Sequence, residues 1–162
     1  MKLREEIEYP AGIDTVFSML CDPAYRRRVC EATYAIDHSV SVRPEGNLVV
    51  VSIVRVMPAD VPPVARAIVG DRIEIRQVER WAAGEQAWRR AADLSLDFVG
   101  QPAHMSGRIL LTAVDGATRG TIDGELNVNV PFFGGRIADA MVQGFRFALS
   151  VEADVAKEYL SG

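Results

Sequence analysis

The feature that most restricts what this chain can fold into is a change in the spacing of its apolar residues. From about residue 33 to residue 130 apolar side chains tend to recur at every second position, and beyond residue 135 they recur at helical spacing. A period of two marks strands that bury one face, and a period near 3.6 marks a helix that buries one stripe. Each surface needs an apolar partner. The simplest arrangement lays the helix stripe on the buried face of the sheet, giving a two-layer α+β domain.

Residues 2–9 alternate, with Leu3, Ile7 and Tyr9 on one face, and Pro10 and Gly12 end that strand. Residues 13–20 read as a short helix capped by Asp14 or its neighbour, with Val16, Phe17 and Leu20 on one side. Asp22-Pro23 opens a second short helix through Tyr25, Val29 and Cys30. Six strands follow. The first puts Tyr34, Ile36, His38, Val40 and Val42 on one face, and Pro44-Glu45-Gly46-Asn47 turns into the β-branched run Leu48 to Met57. The third sets Ile73, Ile75, Gln77, Glu79 and Trp81 against charged Arg72, Glu74, Arg76 and Arg80. The fourth sets Trp88, Arg90, Ala92, Leu94, Leu96 and Phe98 against Arg89, Asp93 and Asp97. The last two carry Met105, Ile109 and Leu111, then Ile122, Leu126, Val128 and Val130.

Consecutive strands at such short spacing form an antiparallel meander. Gly107 and Gly124 fall inside strands, where a missing side chain lets a sheet bend or a neighbour approach. A strongly bent sheet encloses volume. After Pro131-Phe132-Phe133-Gly134-Gly135, the stripe Ile137, Met141, Gly144, Phe145, Ala148, Val151, Val155 and Tyr159 predicts a helix over 137–159. Carried to about Leu160, it spans about 36 Å and can cross a whole sheet face. Hydrophobicity is even and no linker or repeat interrupts it, so residues 1–162 read as one domain with about seven strands.

Charge narrows the partners. The net charge of -4 argues against nucleic acid, which demands a surplus of Lys and Arg. The opening Met-Lys-Leu-Arg-Glu-Glu-Ile-Glu lacks an apolar core, so no signal peptide is expected there. The stretch Leu48 to Val54 is far short of the roughly 20 residues of a membrane span, so stable membrane insertion is not expected either. Cys21 and Cys30 are too few for a disulfide framework or a zinc site and suit a reduced, cytoplasmic setting.

One strand, two short helices, six strands and a long final helix resembles the helix-grip order of the SRPBCC superfamily. That superfamily includes START lipid-transfer domains, birch-pollen-type allergens and bacterial polyketide cyclases. Tyr9-Pro10-Ala11-Gly12-Ile13-Asp14-Thr15-Val16-Phe17 followed by Asp22-Pro23-Ala24-Tyr25 is similar to its entry into the first helices. Val69-Gly70-Asp71 and Pro131-Phe132-Phe133-Gly134-Gly135 further resemble an actinobacterial family of unknown function (DUF2505-like). The resemblance implies a cavity between sheet and helix. Members hold lipids, sterols, hormones or polyketides there, and some are enzymes.

No phosphate-binding loop, His-Glu-x-x-His or Gly-x-Ser-x-Gly occurs, and two histidines cannot build a His-rich metal site. The motifs therefore name no catalytic residue, metal or cofactor. Glu152 lies near the apolar stripe, about 40° from its centre. It either pairs with an arginine, reaches the stripe's edge, or anchors a ligand with a raised pKa. His38, Gln77, Glu79 and Arg90 also fall on apolar strand faces, and Arg90 is expected to pair with Glu79 or Glu152. Trp88, Met105, Met141 and Phe145 complete the expected cavity wall. Arg26-Arg27-Arg28 reads as a solvated helix face. In the apolar connection 57–70, Pro63 can start a short helix, and Val61, Val64 and Ile68 form either a gate over the cavity or a fixed plug.

The leading expectation is noncatalytic binding of a hydrophobic small molecule or lipid. A cyclase or dehydratase is the alternative, and requires two of His38, Glu79, Arg90 and Glu152 to converge. A protein-interaction module with a filled cavity is the third.

Overall fold

The computed structural model describes residues 1–59 and 63–162. Seven strands form one antiparallel sheet: β1 (Lys2–Tyr9), β2 (Asp37–Glu45), β3 (Leu48–Pro58), β4 (Arg72–Trp81), β5 (Arg89–Phe98), β6 (Ala103–Val114) and β7 (Ala117–Val128). Their spatial order is β1-β7-β6-β5-β4-β3-β2. The meander explains six of these seven positions, and β1 closes the sheet by pairing with β7 from Lys2 opposite Glu125 to Tyr9 opposite Thr118. β1 and β2 are thus opposite edges, joined across the sheet by α1 (Ile13–Leu20) and α2 (Pro23–Ala32). A short α3 (Pro63–Val69) follows β3, and α4 (Gly134–Ser161) ends the fold.

Turn chemistry sets the register. Gly46 (φ 61°) and Asn47 join β2 to β3, with Glu45 opposite Leu48. Asp115 (φ 48°) and Gly116 (φ 78°) join β6 to β7, where positive φ at both central residues matches the twist of the strands. Further along that pair, Gly107 lies directly opposite Gly124. A Cβ on Gly107 would run into the backbone carbonyl oxygen of Asp123 and lie 2.8 Å from the Cα of Gly124. The two strands approach there more closely than side chains permit.

The helices differ from expectation at their ends. α1 is preceded by Gly12 with no side-chain cap, and Asp14 sits inside the first turn instead. Asp22 does cap α2, accepting from the Ala24 amide at 2.9 Å. The alternation places Tyr34 and Ile36 on a strand with His38, but β2 begins only at Asp37. The cause is the way α2 stops. Tyr34 adopts φ 64°, its amide bonds to the Glu31 carbonyl and that of Ala35 to the Cys30 carbonyl, which is the Schellman pattern. That reversal leaves Tyr34 73% exposed.

The core gathers Val16, Met19, Tyr25, Cys30, Ile53, Trp81 and Leu111 between the sheet's concave face and the helices. α4 packs on α2, β1 and β7, toward one side of the sheet, and leaves a space lined from β3, β4 and β5 as well as from β1, β6 and β7. No helix among the described residues is long and apolar enough to cross a membrane.

Gly107→Ala is expected to destabilise the protein by about 1–3 kcal/mol, because the obstacle is backbone that cannot turn aside. Urea unfolding checks it; an unchanged midpoint would show that β6 and β7 can part without cost.

Candidate functional site

The space beneath α4 is a cavity of about 360 Å³. Its walls are mainly apolar: Ile73 and Ile75 of β4, Leu94, Leu96 and Phe98 of β5, and Met141, Phe145 and Ala148 of α4. Tyr34, Pro58 and Phe147 line it and are also exposed, which marks its mouth. At the inner end stands a polar cluster of Tyr9, Arg26, Arg55, Gln77, Glu79 and Glu152.

Glu79 is the hub of this cluster. Its Oε2 accepts from Arg26 Nη2 at 2.6 Å and from Trp81 Nε1 at 2.9 Å, and its Oε1 accepts from Gln77 Nε2 at 2.7 Å. Arg26 also donates from Nε to the Leu20 carbonyl at 2.7 Å. The side chains of Arg26 and Glu79 are only 4% and 2% exposed, so the pair is removed from water and satisfied from within. Burial works against the guanidinium charge, but Glu79 and then Glu152 outweigh it and raise the Arg26 pKa. Arg26 is a fixed cation.

Glu152 is held more loosely. Its Oε1 accepts from the Tyr9 hydroxyl at 3.3 Å and lies 3.8 Å from Arg26 Nη1, while its side chain keeps 17% exposure. Burial raises its pKa, with Glu79 adding to the rise and Arg26, Arg55 and the Tyr9 hydrogen bond opposing it. The Tyr25 hydroxyl donates to the Glu152 backbone carbonyl at 3.1 Å, which fixes α2 to α4 at this level. Burial pushes the Tyr9 hydroxyl well up, so at neutral pH it is a neutral donor. On β3, Arg55 donates from Nη2 to Gln77 Oε1 at 3.3 Å, and among the described residues its buried Nε has no partner.

The expected wall is therefore partly reassigned. Gln77, Glu79, Met141, Phe145 and Glu152 line the cavity. His38, Trp88, Arg90 and Met105 are not among its lining residues. His38 is on edge strand β2, with Nε2 3.6 Å from Glu31 Oε1 of α2. Trp88 precedes β5 and is 53% exposed. Met105 is buried in the core, its side chain filling the space that a Cβ on Gly124 would need. Arg90 shares a strand face with Leu94, but Glu79 pairs with Leu94, four residues away, or roughly 13 Å along the strand. Arg90 instead lies 4.0 Å over the Phe17 ring and 3.5 Å from Asp14, both of α1. Val61 and the side chains of Val64 and Ile68 lie outside the described residues, while the α3 end residue Val69 packs with Ala59 and Ile137.

Sequence reasoning misses the arginine partner of Glu79 and Glu152. Arg26 reads as solvated together with Arg27 and Arg28, yet it precedes Val29 and Cys30 by three and four residues. That spacing puts it on the inward face of α2. Arg55 carries a signal as well, since it alternates with Val51 and Ile53 along β3.

A family model described as a protein of unknown function, DUF2505, matches residues 4–160. The chain belongs to this family. The DUF2505 chain also shares its fold with solved structures of low sequence identity. TTHA0849 from Thermus thermophilus is 16% identical with a TM-score of 0.64, over 98% of this chain and 95% of that one. Ara h 8.0201 is 14% identical with a TM-score of 0.61, over 100% and 99%. Norcoclaurine synthase from Thalictrum flavum is 11% identical with a TM-score of 0.57, over 100% and 87%. These likenesses establish the helix-grip fold. No curated protein matches the sequence.

Two outcomes distinguish the carboxylates. Glu79→Gln leaves Arg26 buried without its closest counterion and turns an amide donor toward other donors, so a loss of about 3–5 kcal/mol is expected on thermal or urea unfolding. Glu152→Gln leaves the Arg26–Glu79 contact in place and should cost far less. Equal losses would overturn the assignment of Glu79 as hub.

The pH dependence of Glu152 has a definite sign. A carboxyl whose folded pKa is raised binds its proton more tightly when folded, so its contribution favours folding at low pH and fades as pH rises above its ordinary 4.5. The stability of the wild type minus that of Glu152→Gln should therefore fall across that window in paired denaturation curves. A difference that rises with pH would show that the arginines, not burial, control Glu152.

Proposed function

We propose that this protein binds a hydrophobic small molecule in the cavity between the sheet and α4. The observation that carries this reading is the cavity itself. Its volume of about 360 Å³ falls within the roughly 300–1,000 Å³ typical of small-molecule sites. Its apolar walls supply affinity and the polar cluster at one end supplies orientation. An interior of this volume weighs against a filled module that works only through its surface.

Binding is favoured over acid–base catalysis by how the ionisable groups are engaged. Glu79 is occupied by three hydrogen bonds, and its Arg26 partner is held by a backbone carbonyl as well. Burial pushes the Cys21 thiol up to about 11, so it is not a thiolate nucleophile at neutral pH. A protein named as a synthase shares the fold, so fold alone does not choose between binding and chemistry. The free Cys21 and Cys30 accord with a reducing, cytoplasmic setting.

The test is displacement from a folded protein. N-phenylnaphthylamine, a neutral fluorophore that brightens in apolar surroundings, should bind the wild type. Ala148→Trp, which fills the cavity from α4, should weaken that binding by about tenfold or more while circular dichroism stays unchanged. Undiminished binding to Ala148→Trp would place the probe elsewhere and remove the cavity as the site. Native mass spectrometry of protein from its own host should find a retained apolar mass.

A further inference from the structure

We propose that the ligand is an apolar molecule bearing a single carboxylate, and that Arg55 is the residue that holds that carboxylate. The inference rests on the binding reading above and deepens it by naming the head group. Among the described residues four charged side chains line the cavity: Arg26, Arg55, Glu79 and Glu152. Three of them answer one another. Arg26 lies 2.6 Å from Glu79 and 3.8 Å from Glu152, and Glu152 also accepts from the Tyr9 hydroxyl. Arg55 is left over. Among the described residues it enters no ion pair, its Nη2 donates only to the neutral Gln77 amide at 3.3 Å, and its buried Nε donates to nothing.

The register sets this cation apart from the inner carboxylates. On β3, Arg55 pairs with Ile75 of β4, whereas Glu79 of β4 pairs with Val51. Those two levels are four residues apart, or roughly 13 Å along the strand. Gln77 stands between them, donating to Glu79 at 2.7 Å while it accepts from Arg55. Beyond Arg55 on the same strand come Met57 and Pro58, which also line the cavity, and Pro58 is exposed at its mouth. The wall around Arg55 is apolar, with Ile75 opposite it, Phe98 opposite Ile75, and Ile73 opposite Met57. A guanidinium in that setting lacks an anion. A carboxylate matches its planar donors and balances its one charge. A phosphate monoester would bring about -1.5 to -2 charges against that single cation. A hydroxyl would leave the cation unanswered, and an ammonium would be repelled by it. The apolar body of the ligand then lies against Leu96, Phe98, Met141 and Phe145.

Competition against N-phenylnaphthylamine at neutral pH tests this with decanoate, decanol and decylamine, three heads on one chain. Decanoate should displace the probe from the wild type at a concentration at least about tenfold below either analogue. Arg55→Met removes the cation and keeps an apolar stem, so it should bind decanoate no better than decanol. Should Arg55→Met not fold, Arg55→Gln removes the same charge and carries the same expectation. Equal displacement by the three heads, a wild type that favours decanol or decylamine, or a decanoate preference that survives loss of the Arg55 charge would overturn the inference while leaving the cavity as a binding site. If N-phenylnaphthylamine does not bind the wild type, or binds Ala148→Trp equally well, the cavity reading fails and takes this inference with it.

Discussion

The contact between Arg26 and Glu79 is where the layers of this protein meet. β4, on which Glu79 lies, runs through the interior of the sheet, and a lone carboxylate buried there would cost several kcal/mol. Arg26 answers it from α2, holds the Leu20 carbonyl at the end of α1, and reaches Glu152 on α4. One guanidinium thus links both short helices, a central strand and the final helix. Leucine and methionine of similar volume could make a core at least as stable. What they would not make is a fixed polar end to an otherwise apolar interior.

The rest of the cavity follows from how helix and sheet share their surfaces. α4 packs on α2, β1 and β7, so the closest helix–sheet contacts lie on that side. The cavity left beneath the helix is lined from β1, β6 and β7 as well as from β3, β4 and β5. The asymmetry also places the mouth, because the abrupt end of α2 at Tyr34 turns an aromatic side chain outward on the open side. A helix cap, a strand pairing and a buried charge together shape one volume.

Much of the architecture is legible from the residues. Alternation marks the strands, Asp22-Pro23 marks the start of α2, and the stripe from Ile137 to Tyr159 marks α4. Faces are read more reliably than ends. Tyr34 and Ile36 keep the alternating pattern although the helix cap has already turned the chain away from it. Gln77 and Glu79 fall on the cavity face, as their spacing predicts, because a strand's side-chain period is fixed by its backbone.

The partners of those residues are another matter. Glu152 reads as a carboxylate in need of a partner, with Arg90 the arginine expected, while Arg26 to Arg28 look alike as a solvated run of charge. Arg26 is buried and Arg28 pairs at the surface with Glu158, a difference set by helix phase and by what lies opposite. Arg90 shares Glu79's sheet face but meets α1 first, since distance along a strand cannot be judged until the register is known. Local spacing determines which side of an element a residue faces, because that depends only on the backbone repeat. Tertiary structure alone decided which charges meet and how much space is left between helix and sheet, because both depend on the packing of segments far apart in the chain.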